Sequence, residues 1–216
     1  MTDYHCSKQK DPRSGAAVET ERLLYHGSAV PGVTELLPLS VLHGSGGKVV
    51  YLSPCIPYTL LYIWDAEKTQ YSRKWVTGWV KDGIAYYEEQ FPGQLKAFYE
   101  GVRGYVYGVL KNGDVQLLPD REDLFYSGTP IRVYRVTEIP DVYQALLEYE
   151  RAGKLRVLRF ENASEEKQAE LTDRIAAYIT ENSLWKQDSE ESRFMKRYFA
   201  QGWEKAKNKL ISVQEI

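Results

Sequence analysis

Between residues 21 and 162 the apolar positions fall in short β-branched and aromatic runs, cut by Gly, Pro and Asn; from 163 onward they recur three and four apart. That change of period predicts strands first and helices last. ERLLYH (21–26) and GKVVYLS (47–53) are strand-like, and PG, LP and GSGG punctuate the stretch between them as a long surface connection. From Pro57, PYTLLYIWDAEK has Pro at its start, apolar residues at helical spacing and charge at its end, which predicts one short helix. WVTGWVKDGIAYYEE predicts a hairpin at Asp82-Gly83, and FPGQLKAFYEG a further short helix with a Gly stop. YVYGVLKNGDVQLLP predicts a second hairpin centred on Asn112-Gly113, followed by two strand-like runs, EDLFYS and PIRVYRVTEI.

After Pro140, DVYQALLEYERAG has a helical stripe of Val142, Leu146 and Tyr149 with Gly153 as its stop, and KLRVLRFE (154–161) predicts a closing strand. Ser164 is placed to cap a helix with Glu165 and Glu166 in its first turn, and Leu171, Ile175, Tyr178 and Ile179 form its apolar face. A last helix is expected over roughly 190–210, carrying Phe194, Tyr198 and Trp203. No repeat of fixed period and no low-complexity segment interrupts the pattern. The fold class expected is α+β with a helical C-terminus. The expected organisation is a flexible tail over 1–19, a main domain over 20–162, and a helical extension over 163–216 packed on it.

Composition fits a folded chain: 216 residues, 43% hydrophobic, with 17 Tyr and 5 Trp. A net charge of −2 supplies no global attraction to nucleic acid or to an anionic membrane, so any such contact must come from a local patch. Two cysteines, Cys6 in the polar tail and Cys55, make no disulfide framework. With no apolar run of spanning length and no apolar signal stretch at the start, the sequence reading is a cytoplasmic protein without a membrane partner.

Several familiar chemistries fail on spacing. GSGGKV (44–49) lacks the four residues between glycines and the Ser or Thr after Lys that a Walker A loop needs. No GxGxxG or GxSxG occurs, and histidines at 5, 26 and 43 have no metal-binding helical spacing, so no metal is expected. Cys55, just past an apolar strand, suits a small buried hydrophobe better than a nucleophile.

What survives is a strand ending in His-Gly-Ser beside a strand carrying Tyr. A glycine lets its backbone N–H and C=O approach a planar carboxamide, an imidazole can hold a sugar hydroxyl, and a tyrosine ring offers a stacking face. These segments resemble the ADP-ribosyltransferase superfamily, in its poly(ADP-ribose) polymerase and diphtheria-toxin branch with a His-Tyr-Glu triad. LLYHGS (23–28) resembles the first motif, which implies that His26 contacts the adenosine ribose and Gly27 clamps the nicotinamide amide, with Ser28 beside them. VVYLSPCIPYTLLY (49–62) resembles the second, with Tyr51, Thr59 and Tyr62 at the family's intervals and Ser53 in the same strand run. The resemblance implies that Tyr51 and Tyr62 sandwich the nicotinamide ring and that the Thr59 hydroxyl bonds its carboxamide where the polymerases use Ser.

EDLFYS (122–127) is similar to the third motif, making Glu122 the candidate catalytic glutamate, with Asp114, Asp120, Asp123 and Glu138 as competitors. The family's fold is a split β-sandwich, its co-substrate is NAD, and its reaction is cleavage of the nicotinamide N-glycosidic bond with transfer of ADP-ribose. The acceptor here stays open among protein, nucleic acid and small molecule. Two other classes compete: an inactive NAD- or ADP-ribose-binding protein on the same fold, and an interaction module using the aromatic surface and the basic stretch of Arg193, Lys196, Arg197, Lys205, Lys207 and Lys209. The second HGS, at His43, falls in the connecting loop and is read as coincidence.

Overall fold

The structure is a computed structural model that describes residues 23–42, 46–119, 121 and 123–214, the last five by their backbone. The expectations for the 1–19 tail, for His43 and for Glu122 and Asp120 lie outside the described residues.

The chain opens with β1 (Leu23–Ser28), and the predicted connection carries two short pairings, β2 (Glu35–Leu36) and β3 (Ser40–Val41), before β4 (Lys48–Leu52). The single helix expected from Pro57 is instead two, α1 (Ile56–Leu60) and α2 (Ala66–Thr69). Leu61, Ile63 and Trp64 turn into the core between them, and Asp65 caps α2 by accepting the Lys68 N–H at 2.8 Å. The hairpin at Asp82-Gly83 forms, joining β5 (Gly78–Lys81) to β6 (Ile84–Glu88). Both turn residues are left-handed, φ 52° and 74°, as a type I′ turn requires.

After α3 (Gln94–Tyr99) and β7 (Gly104–Leu110) the second expected hairpin is absent. Asn112 Oδ1 accepts the Asp114 N–H at 3.1 Å in a local turn, and β8 (Gln116–Leu117) pairs with β9 (Phe125–Ser127). The reason is topological, since both edges of β7 are taken. The run PIRVYRVTEI likewise splits into β10 (Ile131–Arg132), which pairs with β2, and β11 (Arg135–Ile139), which pairs with β7.

The helical end follows its pattern closely. Asp141 caps α4 (Val142–Arg151), Gly153 turns left-handed at φ 70°, and β12 (Leu155–Leu158) closes in parallel beside β6. Ser164 caps α5 (Glu165–Glu181) by accepting the Lys167 N–H at 3.2 Å, and Leu171, Ile175 and Ile179 are buried. The expected last helix is two, α6 (Glu190–Tyr198) and α7 (Ala200–Gln214), broken where buried Phe199 leaves helical geometry at ψ 48°.

Three principal sheets result: β1-β7-β11, β12-β6-β5 and β3-β4-β9-β8. Tyr25 and Ser53 exchange both backbone hydrogen bonds, at 2.8 and 2.9 Å, which sets β1 alongside the β4 end. A small core of Leu24, Leu52, Tyr107, Val109 and Phe125 fills the space beneath those strands. The larger core joins Leu60, Tyr87, Phe98 and Leu146 to Ile175, Phe194 and Trp203, so the C-terminal helices share one core with the elements before them. The fold is a mixed α+β arrangement, and among the described residues no helix is long and apolar enough to cross a membrane.

Candidate functional site

A cavity of about 490 Å³ opens where β1, β4, α1 and the segment before β9 converge. Its lining brings together His26, Gly27, Tyr51, Ser53, Thr59 and Tyr62, and adds Tyr25, Tyr58, Lys74, Gly78 and Arg121, with Ser40, Val41, Leu52, Leu118 and Leu124 completing the wall. Ser28 is the exception among the expected residues: it does not line the cavity, and its Oγ accepts the Val30 N–H at 3.1 Å to turn the chain away from β1. Ser28 is the last residue of β1, and its hydroxyl is engaged by the turn that leaves the strand.

His26 is tied to the opposite strand by Nδ1, which lies 2.9 Å from the Tyr51 carbonyl oxygen. A carbonyl only accepts, so Nδ1 carries the proton and donates, and Nε2 is left with its lone pair. Burial lowers the His26 pKa, the bond to Tyr51 works the other way, and the Lys74 charge lowers it further. The imidazole is therefore neutral at pH 7.

Gly27 sits where no side chain fits: a Cβ there would lie 2.1 Å from the Thr59 carbonyl oxygen. Strand β1 and helix α1 thus touch backbone to backbone. The Thr59 hydroxyl donates to the Ile56 carbonyl at 2.8 Å, so toward a ligand it can only accept, the role that an amide N–H donor requires. Ser53 is fully buried and its Oγ accepts the Cys55 N–H at 3.1 Å, which fixes the turn between β4 and α1.

The tyrosines are held by their hydroxyls. Tyr51 donates to the Val41 carbonyl at 3.2 Å, which draws the β3 segment over the cavity. Tyr62 and Tyr58 share a hydroxyl hydrogen bond of 2.9 Å and meet edge to face at 5.3 Å. Burial first, then the Tyr58 contact, pushes the Tyr62 hydroxyl far above the ordinary range, so it stays protonated. Tyr51 and Tyr62 both line the cavity.

Lys74 and Arg121 are the residues that sequence reasoning missed. The Lys74 ammonium lies 5.9 Å from the Tyr62 ring centroid; the residue is solvent-accessible, yet desolvation at the cavity wall lowers its pKa. Desolvation also opposes the Arg121 charge, but contacts to Asp123, at 3.4 Å, and to Tyr58 outweigh it, so its pKa is raised. Neither lies in a recognisable motif, and only the closure of distant segments brings them here.

Of the competing carboxylates, Asp123 is buried against Arg121, Asp114 is exposed in its turn, and Glu138 is exposed on β11 and pairs with Arg103 at 3.6 Å. None lines the cavity. Glu122 belongs to the segment between two lining residues, Arg121 and Leu124. Cys55 is buried, and its thiol pKa is raised, first by burial, as expected of an inert packing residue. The basic C-terminal stretch is largely compensated within the protein: Arg193 pairs with Asp188, Lys205 and Lys209 with Asp173, and Lys207 with Glu204. Among the described residues no cluster of His, Cys, Asp or Glu is arranged to hold a metal.

Comparison with known proteins found no matching family model, no matching curated protein and no matching solved structure.

Proposed function

We propose that this protein is an NAD-dependent ADP-ribosyltransferase that cleaves the nicotinamide N-glycosidic bond, built on an ADP-ribosyltransferase-like split β-sandwich with a helical C-terminal extension. The observation that carries the reading is convergence: His26 and Gly27 from one strand, Tyr51 and Ser53 from another, and Thr59 and Tyr62 from the following segment line one cavity. Packing alone gives no reason for these residue types, separated by up to 36 positions, to share an open space instead of a filled core.

In this reading the nicotinamide ring lies between Tyr51 and Tyr62, its amide nitrogen donates to Thr59, and neutral His26 meets a ribose hydroxyl through Nε2. As the glycosidic bond breaks, nicotinamide leaves with the bonding electron pair and positive charge builds on the ribose carbon. Glu122, with Asp120 as its alternative, stabilises that charge and bonds the 2′-hydroxyl, most strongly at the transition state. The acceptor nucleophile then takes the ribosyl carbon and loses its proton.

The test is nicotinamide release from NAD by the purified chain, compared with Tyr51→Ala and Glu122→Gln. Release by the wild type that both variants lose supports the mechanism. No release, with cell lysate supplying acceptors, overturns it and leaves a binding protein for NAD or ADP-ribose.

A further inference from the structure

The charge of the cavity is one-sided. Among its described lining residues Lys74 and Arg121 are cationic and none is a carboxylate. Lys74 pairs with no acidic group among the described residues; its ammonium rests over the Tyr62 ring. Arg121 meets Asp123 through Nε and Nη2, both at 3.4 Å, long contacts for a guanidinium and a carboxylate, and it also contacts Tyr58. Both cations are felt by the other site groups: Lys74 depresses the His26 pKa and Arg121 acts on the Tyr62 hydroxyl.

The position of Lys74 is built from the C-terminal helices. Tyr71 stacks on Phe194 of α6 at 4.2 Å and donates to Glu191 at 2.9 Å. The Ser72 N–H donates to Glu190, and its hydroxyl donates to the same carboxylate at 2.9 Å. On the other side, the Trp75 indole donates to Gln90 at 2.6 Å and leans on Phe199 at 5.3 Å. The backbone is thus fixed on both sides of Lys74.

We propose that Lys74 and Arg121 form a phosphoryl-anion subsite in this cavity, which takes the diphosphate of a nucleoside diphosphate group and makes the site select phosphorylated over unphosphorylated nucleosides. The inference rests on the reading of the cavity as a dinucleotide site, and it assigns residues outside the His-Gly-Ser and Tyr-Thr-Tyr segments. An aromatic ligand ring stacking on Tyr62 displaces the Lys74 ammonium from that face, and a phosphoryl oxygen is the partner that then offsets its desolvation. Arg121 presents a planar fork that matches two phosphoryl oxygens once its loose hold on Asp123 is exchanged.

The experiment is calorimetric titration of the full chain with ADP, adenosine and inorganic pyrophosphate, for wild type, Lys74→Met, Lys74→Arg and Arg121→Met. Each Met variant is expected to weaken ADP and pyrophosphate binding about tenfold or more. Adenosine binding stays unchanged, and Lys74→Arg keeps the wild-type preference. Wild type that binds adenosine as tightly as ADP, or Met variants that leave ADP affinity intact or lose adenosine equally, overturn the subsite. Nicotinamide release is scored separately. Its absence with ADP selectivity intact sinks the transferase reading alone, and its presence with ADP affinity intact in both Met variants sinks the subsite alone.

Discussion

His26 Nδ1 stands 2.9 Å from the carbonyl oxygen of Tyr51, so the imidazole of β1 donates to the backbone of β4. The bond fixes the tautomer, and the burial of the ring sets a pH dependence. Burial lowers the His26 pKa below its ordinary value of 6.5, so the unfolded chain binds more protons in acid. Stability from this residue is complete above pH 6.5 and falls as the pH drops from there through the lowered folded pKa. In urea unfolding between pH 7.5 and 5, His26→Gln is expected to show a shallower loss of stability than wild type. Parallel profiles would show that the histidine is not held neutral by the fold.

Gly27 and Gly104 separate a close approach to backbone from one to a buried side chain. A Cβ at Gly27 meets the Thr59 carbonyl at 2.1 Å, and one at Gly104 meets the Ile63 Cγ2 at 2.2 Å. Buried, β-branched Ile63 yields only at a packing cost, and the Ser28 carbonyl lies 3.0 Å away, but at Gly27 the obstacle at 2.1 Å is itself backbone and α1 must move. Gly27→Ala is therefore expected to cost about 1–3 kcal/mol, and more than Gly104→Ala, in chemical unfolding. It should also abolish ligand binding, because moving α1 shifts Thr59. A larger cost at Gly104 would contradict this account.

Glu89, 1% exposed, joins three elements: its carboxylate accepts the Leu95 N–H at 2.9 Å and the Phe160 N–H at 3.3 Å. Burial raises its pKa while these bonds lower it. Glu89→Ala strands two buried donors and is expected to cost about 1–3 kcal/mol. Glu89→Gln keeps one of the two accepting oxygens and strands a single donor, so it is expected to cost less. Equal or greater loss in Gln, by urea midpoint, would remove the hydrogen bonds as the cause.

Glu191 latches α6 to the segment that carries Lys74. Its Oε1 accepts from Tyr71 at 2.9 Å and from Tyr178 at 2.6 Å, and burial together with this contact pushes the Tyr178 hydroxyl up to about 12. Glu191→Ala is expected to raise amide hydrogen exchange across 190–198 and 71–75 together, since the two are joined through this carboxylate. Faster exchange in only one of the two segments would show that they are held independently.

The elements with strong local chemistry were legible in the sequence. Asp82-Gly83 made its hairpin, and Ser164 and Gly153 marked helix ends, because each acts on neighbours a few residues away. Asn112-Gly113 has an equally strong turn signature and failed, since both edges of β7 are taken, by β1 and by β11. The breaks at residues 61–65 and at Phe199 were likewise invisible, because buried Ile63, Trp64 and Phe199 are drawn into a core assembled from distant segments.

The candidate site divides in the same way. The sequence by itself determined which residues carry recognisable chemistry, the HGS strand and the Tyr, Thr and Tyr at fixed intervals after it, because those spacings are local and a short segment preserves them. Only the tertiary structure decided that Ser28 faces away, that Gly27 is required by the approach of the Thr59 carbonyl, and that Lys74 and Arg121 enter the same cavity. The turn that leaves β1 engages the Ser28 hydroxyl and sets the first; the other two depend on chain closure over tens of residues, for which no local pattern exists.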